Sequence, residues 1–148
     1  MKCVVAWIAV FGRVAAGGWL ALGGFLKLRA PAEEFAAALE GYRLLPLSLT
    51  LPIARVLPWA EYLVGIYVLA GLWLRCSAPA ALLLYGGFVA ALGSALARRL
   101  PLDSCGCFGG AWFLPPPATL IADSAMVLLL AAVILDRERR CSLDKKLK

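Results

Sequence analysis

The chain has 148 residues, of which 63% are hydrophobic and 16% charged, with a formal net charge of +6 and no histidine. So little polar surface excludes an ordinary soluble domain of this size and makes the bilayer the solvent, with room for one integral membrane domain over 1–148. The missing histidine removes the usual ligand of haem, catalytic zinc and non-haem iron and the usual general base, while basic residues gathered at the ends of apolar runs read as membrane anchors and point to no nucleic-acid partner.

The first apolar stretch runs from about residue 4 to 28 and is interrupted by Arg13. That interruption and the continuation past it argue against a cleaved signal peptide. A more polar connection follows. Pro31, Glu33 and Glu34 form the expected first turn of a helix, with Gly41 as its stop. Phe35, Ala38, Leu39 and Tyr42 share one face at three- and four-residue spacing, so the segment reads as a short amphipathic helix on the membrane surface.

The second span is expected from about residue 53 to 74, with Glu61 inside it and Pro46, Pro52 and Pro58 punctuating its entry. Trp59, Tyr62 and Trp73 belong near its interfacial belts. A turn around Arg75 leads to an uncharged third span at about 78–96, and a fourth at about 118–135 contains Asp123. Each run has about the 20 residues that crossing the hydrocarbon core requires, and abundant glycine (Gly17, Gly24, Gly86 and others) suits close helix packing in lipid. The expected fold is therefore all-α, a four-transmembrane-helix bundle with an amphipathic interfacial helix between helices 1 and 2. Eight basic residues fall on the side of the termini and six on the other. This bias, with its dense C-terminal cluster, puts the termini in the cytoplasm of a bacterial inner-membrane protein.

The five cysteines then divide by side. Cys3, Cys76 and Cys141 fall at cytoplasmic ends, where thiols stay reduced. Cys105 and Cys107 lie in an outward loop, Asp103-Ser104-Cys105-Gly106-Cys107-Phe108-Gly109-Gly110. A Cys-x-Cys ring is strained, which Gly106 relieves in part, and a strained accessible disulfide suits exchange. Gly109 allows a tight loop, and Arg43, Arg98 and Arg99 favour thiolate while Asp103 opposes it. A structural disulfide and a soft-metal site of two thiolates are the alternatives.

Arg13, Glu61 and Asp123 each sit inside an apolar span, where a functional reading is the default. Arg13 and Glu61 both approach the midplane, so an Arg13–Glu61 pair fixing helix register is one reading; the acid left over offers proton transfer coupled to thiol chemistry as another.

Four segments carry a family resemblance: Gly24-Phe25-Leu26-Lys27-Leu28, Gly41-Tyr42-Arg43-Leu44-Leu45-Pro46, Leu57-Pro58-Trp59-Ala60-Glu61 and Cys105-Gly106-Cys107-Phe108-Gly109. In this order the chain resembles the MauE branch of the DoxX-like membrane proteins. The resemblance implies a four-helix inner-membrane protein tied to thiol–disulfide chemistry on the outer face, with thioredoxin-like partners and a role in maturing disulfide-bearing periplasmic enzymes. It carries the family's cysteine pair to Cys105 and Cys107 and its intramembrane glutamate to Glu61. Relatives often place a basic residue before the acid of the fourth span, where this chain has Ala122.

The expected function is thus a membrane thiol–disulfide redox protein, a possible oxidoreductase, exchanging electrons with a periplasmic thioredoxin-like partner through Cys105 and Cys107. Gly106, Phe108 and Gly109 shape the loop, Arg43 supports thiolate, and Glu61, Arg13 and Asp123 organise the bundle. No resident metal is expected, and a quinone between the helices is the candidate cofactor. The competing class is a non-catalytic membrane subunit or assembly factor whose disulfide is structural.

Overall fold

The computed structural model describes residues 2–101 and 115–135, with side chains from residue 10 onward apart from Val133 and Leu135. Its elements are α1 (Lys2–Arg29), α2 (Ala32–Gly41), α3 (Leu47–Ala70), α4 (Leu74–Ala97) and α5 (Pro116–Leu135), with no strand among the described residues. Both α3 and α4 are long and apolar enough to cross a membrane, and α5 has a shorter apolar stretch, Pro116–Ala132. Large apolar side chains face outward along the bundle, with Leu83 79%, Leu128 72% and Ile121 71% exposed. Soluble monomers rarely leave such side chains together in water, and lipid removes the cost.

The tightest contact is between α1 and α3, and it is made by backbone. A Cβ added to Gly24 would lie 2.5 Å from the Tyr62 nitrogen and 2.8 Å from the Pro58 carbonyl oxygen; one added to Gly17 would lie 2.6 Å from the Leu69 nitrogen. From the other helix, Gly65 abuts the Ala21 backbone. Gly17, Ala21 and Gly24 recur at helical spacing and clear one face of α1, the small-residue arrangement that lets helices approach in lipid. Since later α1 residues meet earlier α3 residues, the two helices are antiparallel, and this contact sets their register.

Tyr85 of α4 donates its hydroxyl to the Ala16 carbonyl of α1 at 2.8 Å. Around it Ala16, Leu20, Val68, Ala81, Tyr85 and Leu130 form the central core, to which all four long helices contribute. The same antiparallel logic places Gly12 of α1 against Leu129 of α5.

The expected element boundaries shift at α3. It starts at Leu47, directly after Pro46, and carries Pro52 and Pro58 within it instead of beginning past them. Thr50 stabilises this first turn by donating to the Leu47 carbonyl at 2.8 Å. The helix ends at Ala70 because Gly71 turns left-handed (φ 74°) and closes it: Gly71 N–H donates to Val68 O at 3.1 Å and Leu72 N–H to Tyr67 O at 2.9 Å. The α3–α4 turn therefore lies at residues 71–73, ahead of the Arg75 position read from the sequence.

The early start of α3 explains α2. Paired antiparallel with α1, α3 continues past the end of α1, and α2 packs on that extension through Phe35, Ala36 and Ala54. The expected apolar face of α2 is present, with Phe35 and Tyr42 buried and Ala38 and Leu39 half-buried. It is turned toward the protein, while Glu33, Glu34 and Glu40 are exposed. The helix ends at Gly41 as expected, but the left-handed residue that follows is Arg43 (φ 49°), with Tyr42 still right-handed.

Candidate functional site

The register set by Gly17, Ala21 and Gly24 carries Lys27, one turn beyond Gly24, alongside Glu61 of α3. The Lys27 ammonium donates to both carboxylate oxygens of Glu61, each at 2.7 Å. Both side chains are only 2% exposed, so the pair is buried within the protein. Two oppositely charged groups with shared hydrogen bonds satisfy the demand that a buried charge be compensated. The Lys27 Nζ also lies 4.7 Å from the Phe35 ring centre and 5.0 Å from that of Phe88, within range of cation–π attraction to each.

The partner of Glu61 is thus Lys27, where one reading of the sequence offered Arg13. Arg13 and Lys27 are 14 positions apart on α1, about 21 Å along the helix axis at 1.5 Å per residue. Depth counted from the ends of apolar runs put Arg13 and Glu61 at one level. The glycine contact instead sets Glu61 opposite the far end of α1.

Asp123 of α5 is buried and joins this group at a distance: it borders a second, small cavity of about 20 Å³ with Trp19, Gly23, Lys27, Glu61 and Tyr85. That volume is of the order needed for one water molecule. Glu61 and Asp123 therefore belong to one buried polar cluster with Lys27 and Tyr85.

On the other side of Lys27 a larger cavity of about 200 Å³ opens beneath α2. Its walls are Phe35, Leu39 and Tyr42, then Leu44 and Leu45 of the turn, and Phe88 and Ala91 of α4; Lys27 is its one charged lining residue among the described residues. The Tyr42 end is fixed by α4. Arg98 donates through Nη2 to the Tyr42 carbonyl at 2.5 Å, and Tyr42 packs with Leu92 and Ala95, against which Leu100 and Leu120 also lie.

Cys105, Gly106, Cys107, Phe108 and Gly109 lie outside the described residues, as does Cys141. The described chain leaves this segment's two ends at Pro101 and Pro115, at the end of the bundle that holds α2, Tyr42 and Arg98. Arg43, Arg98 and Arg99 are exposed at that end, and Arg43 and Arg99 have left-handed backbones (φ 49° and 53°). Cys76, exposed near the start of α4, is at the opposite end.

The sequence reading missed Lys27, which it counted as an interfacial charge ending the first span. Its signal was nonetheless there: Lys27 continues the spacing of Gly17, Ala21 and Gly24, so it sits on the face that α3 occupies. Phe35 was legible on the apolar face of α2, but Tyr85 and Phe88 carried no comparable signal, because aromatics in apolar spans look alike until helices are paired.

The family model described as methylamine utilisation protein MauE matches residues 5–136, nearly the whole chain. No curated protein and no solved structure matches it. The chain belongs to the MauE family of membrane proteins.

Proposed function

We propose that this MauE-family protein is a four-span inner-membrane thiol–disulfide redox protein in which Cys105 and Cys107 exchange with a periplasmic thioredoxin-like partner. The observation that supports the reading is the position of Pro101 and Pro115, which flank the segment between α4 and α5. The only outward cysteine pair of the sequence lies on it, and its flanking residues belong to the end of the bundle that holds Tyr42 and the exposed Arg43, Arg98 and Arg99. Guanidinium groups near a thiol favour thiolate, the form that attacks disulfides.

In the exchange, one thiolate of the reduced pair attacks a sulfur of the partner's disulfide and expels the other partner thiolate. The second cysteine then displaces the partner from the mixed disulfide, so two electrons and two protons pass from one pair to the other. The reverse sequence runs through the same mixed disulfide. A disulfide-bearing periplasmic enzyme is the natural client, and the family's description links it to methylamine utilisation.

Four spans are supported by length. The 28 residues of α1 extend about 42 Å and the 20 of α5 about 30 Å, against a hydrocarbon core of about 30 Å. The basic C-terminal cluster favours cytoplasmic termini and an extracytoplasmic Cys-Gly-Cys loop.

The test is the reduction potential of the Cys105–Cys107 pair in nanodiscs, read by mass-tag labelling across a redox-buffer series with Cys3, Cys76 and Cys141 replaced by serine. Exchange predicts a value between about −120 and −270 mV. A pair still oxidised below about −300 mV is a structural staple, and the protein would then act as a membrane subunit or assembly factor.

A further inference from the structure

We propose that the cavity beneath α2 binds the single-ring head of a membrane-dissolved quinone, with Lys27 donating to one of its carbonyl oxygens. Size is the first argument. An apolar protein cavity of about 150 Å³ takes up benzene, and this one, at about 200 Å³, has room for one substituted six-membered ring. Lining is the second: Phe35 and Phe88 both border the cavity and the Lys27 ammonium lies over both rings, so aromatic surface and a donor meet where a flat ring would sit.

Charge selects among ligands of that size. An ammonium has three donors, and Glu61 takes two of those of Lys27. The third is left for an acceptor entering between Phe35 and Phe88. Because Glu61 already neutralises Lys27, a ligand carboxylate or phosphate would bring an uncompensated negative charge into a buried site, at high cost. A plain acyl chain has no acceptor to offer. A neutral carbonyl on an aromatic-sized ring meets both conditions. At the rim, Leu44 is 49% exposed and lets an isoprenoid tail leave toward the lipid.

Binding stands independently of the thiol chemistry; the redox use of the site rests on the function proposed above. In that use the Cys105 and Cys107 thiols form an S–S bond and release two electrons and two protons. The quinone takes up both electrons and both protons and becomes the quinol.

Decylubiquinone, titrated calorimetrically into the full-length protein in detergent, is expected to bind saturably with one site per chain. Leu39→Trp fills the cavity from α2 without altering Lys27 or Glu61, and should weaken binding at least 10-fold. Ala91→Phe fills it from α4 and serves should the first variant not fold. A tenfold excess of oleate should leave the quinone bound. The Cys105→Ser/Cys107→Ser chain should bind as the parent does, so a quinone that binds but does not oxidise the dithiol defeats only the redox reading.

Four results overturn the proposal. These are no saturable binding, binding unchanged by the filling variants, displacement by oleate, or binding that appears only in Phe108→Ala. The last would make the chain's own 102–114 segment the occupant of the cavity. Thiol exchange with thioredoxin that persists alongside any of these would leave the proposed function standing.

Discussion

Lys27 and Glu61 depend on each other in a way that double substitution makes measurable. Removing one partner leaves a buried charge without its counter-ion, which costs about 3–5 kcal/mol, whereas replacing both with apolar residues of similar volume is often neutral. Lys27→Met is therefore expected to lower stability by several kcal/mol, and Lys27→Met combined with Glu61→Leu to recover most of the loss, as followed by denaturant unfolding in detergent. The same cycle separates the observed pair from the one the sequence suggested. Groups more than about 10 Å apart with no shared partner add to within about 0.5 kcal/mol. Arg13→Gln and Glu61→Gln should thus couple more weakly than substitutions at Lys27 and Glu61, which should couple by more than 1 kcal/mol. A large Arg13–Glu61 coupling would contradict the α1–α3 register described here.

That register belongs to the helices, and glycines at different positions in them should respond in opposite senses. A methyl group at Gly65 or Gly24 meets backbone atoms of the facing helix, which cannot swing aside as a side chain can. Gly65→Ala is expected to destabilise by at least the 1–3 kcal/mol typical of overpacking. At Gly86 and Gly87 an added Cβ meets nothing within 4 Å, so alanine there should be neutral or stabilise by about 0.5–1 kcal/mol through helix propensity. Equal effects at Gly65 and Gly86 would mean that α1 and α3 are not in backbone contact. These helices also show what sequence can and cannot convey. Apolar runs revealed α1, α4 and α5 within a few residues, and three- and four-residue spacing gave the buried face of α2. The start of α3 was hidden because Pro52 and Pro58 read as breaks, although neighbouring helices and lipid-shielded backbone accommodate proline within a span. Its end was hidden because Gly71, which closes the helix, sits in a stretch as apolar as the helix itself. Glu61 and Asp123, both buried, were legible as charges inside apolar spans. Lys27 and the aromatic cavity were not, since they emerge only when Gly17, Ala21 and Gly24 fix which residues of α1 and α3 meet.

At the scale of the whole molecule, the antiparallel packing separates two chemical ends. Cys76 lies at the end where α3 turns into α4, whereas Arg43, Arg98 and the approaches to the Cys-Gly-Cys segment lie at the end capped by α2. If α3 and α4 cross the bilayer, those ends face different compartments. The compartment decides the chemistry, since a cytoplasmic glutathione pool keeps thiols reduced while the periplasm allows disulfides to persist. Two single-cysteine chains test this, one retaining Cys76 and the other carrying Arg43→Cys. In intact spheroplasts a membrane-impermeant maleimide is expected to label the Arg43→Cys chain at once and Cys76 only after permeabilisation. Labelling with the order reversed would put the Cys-Gly-Cys segment in the cytoplasm and take away any periplasmic partner. Equal labelling of both before permeabilisation would mean that the two ends share a side, and then neither α3 nor α4 spans the membrane. Only the first pattern puts the arginine-rich rim and the approaches to the Cys-Gly-Cys segment in an oxidising compartment, as the proposed dithiol exchange requires.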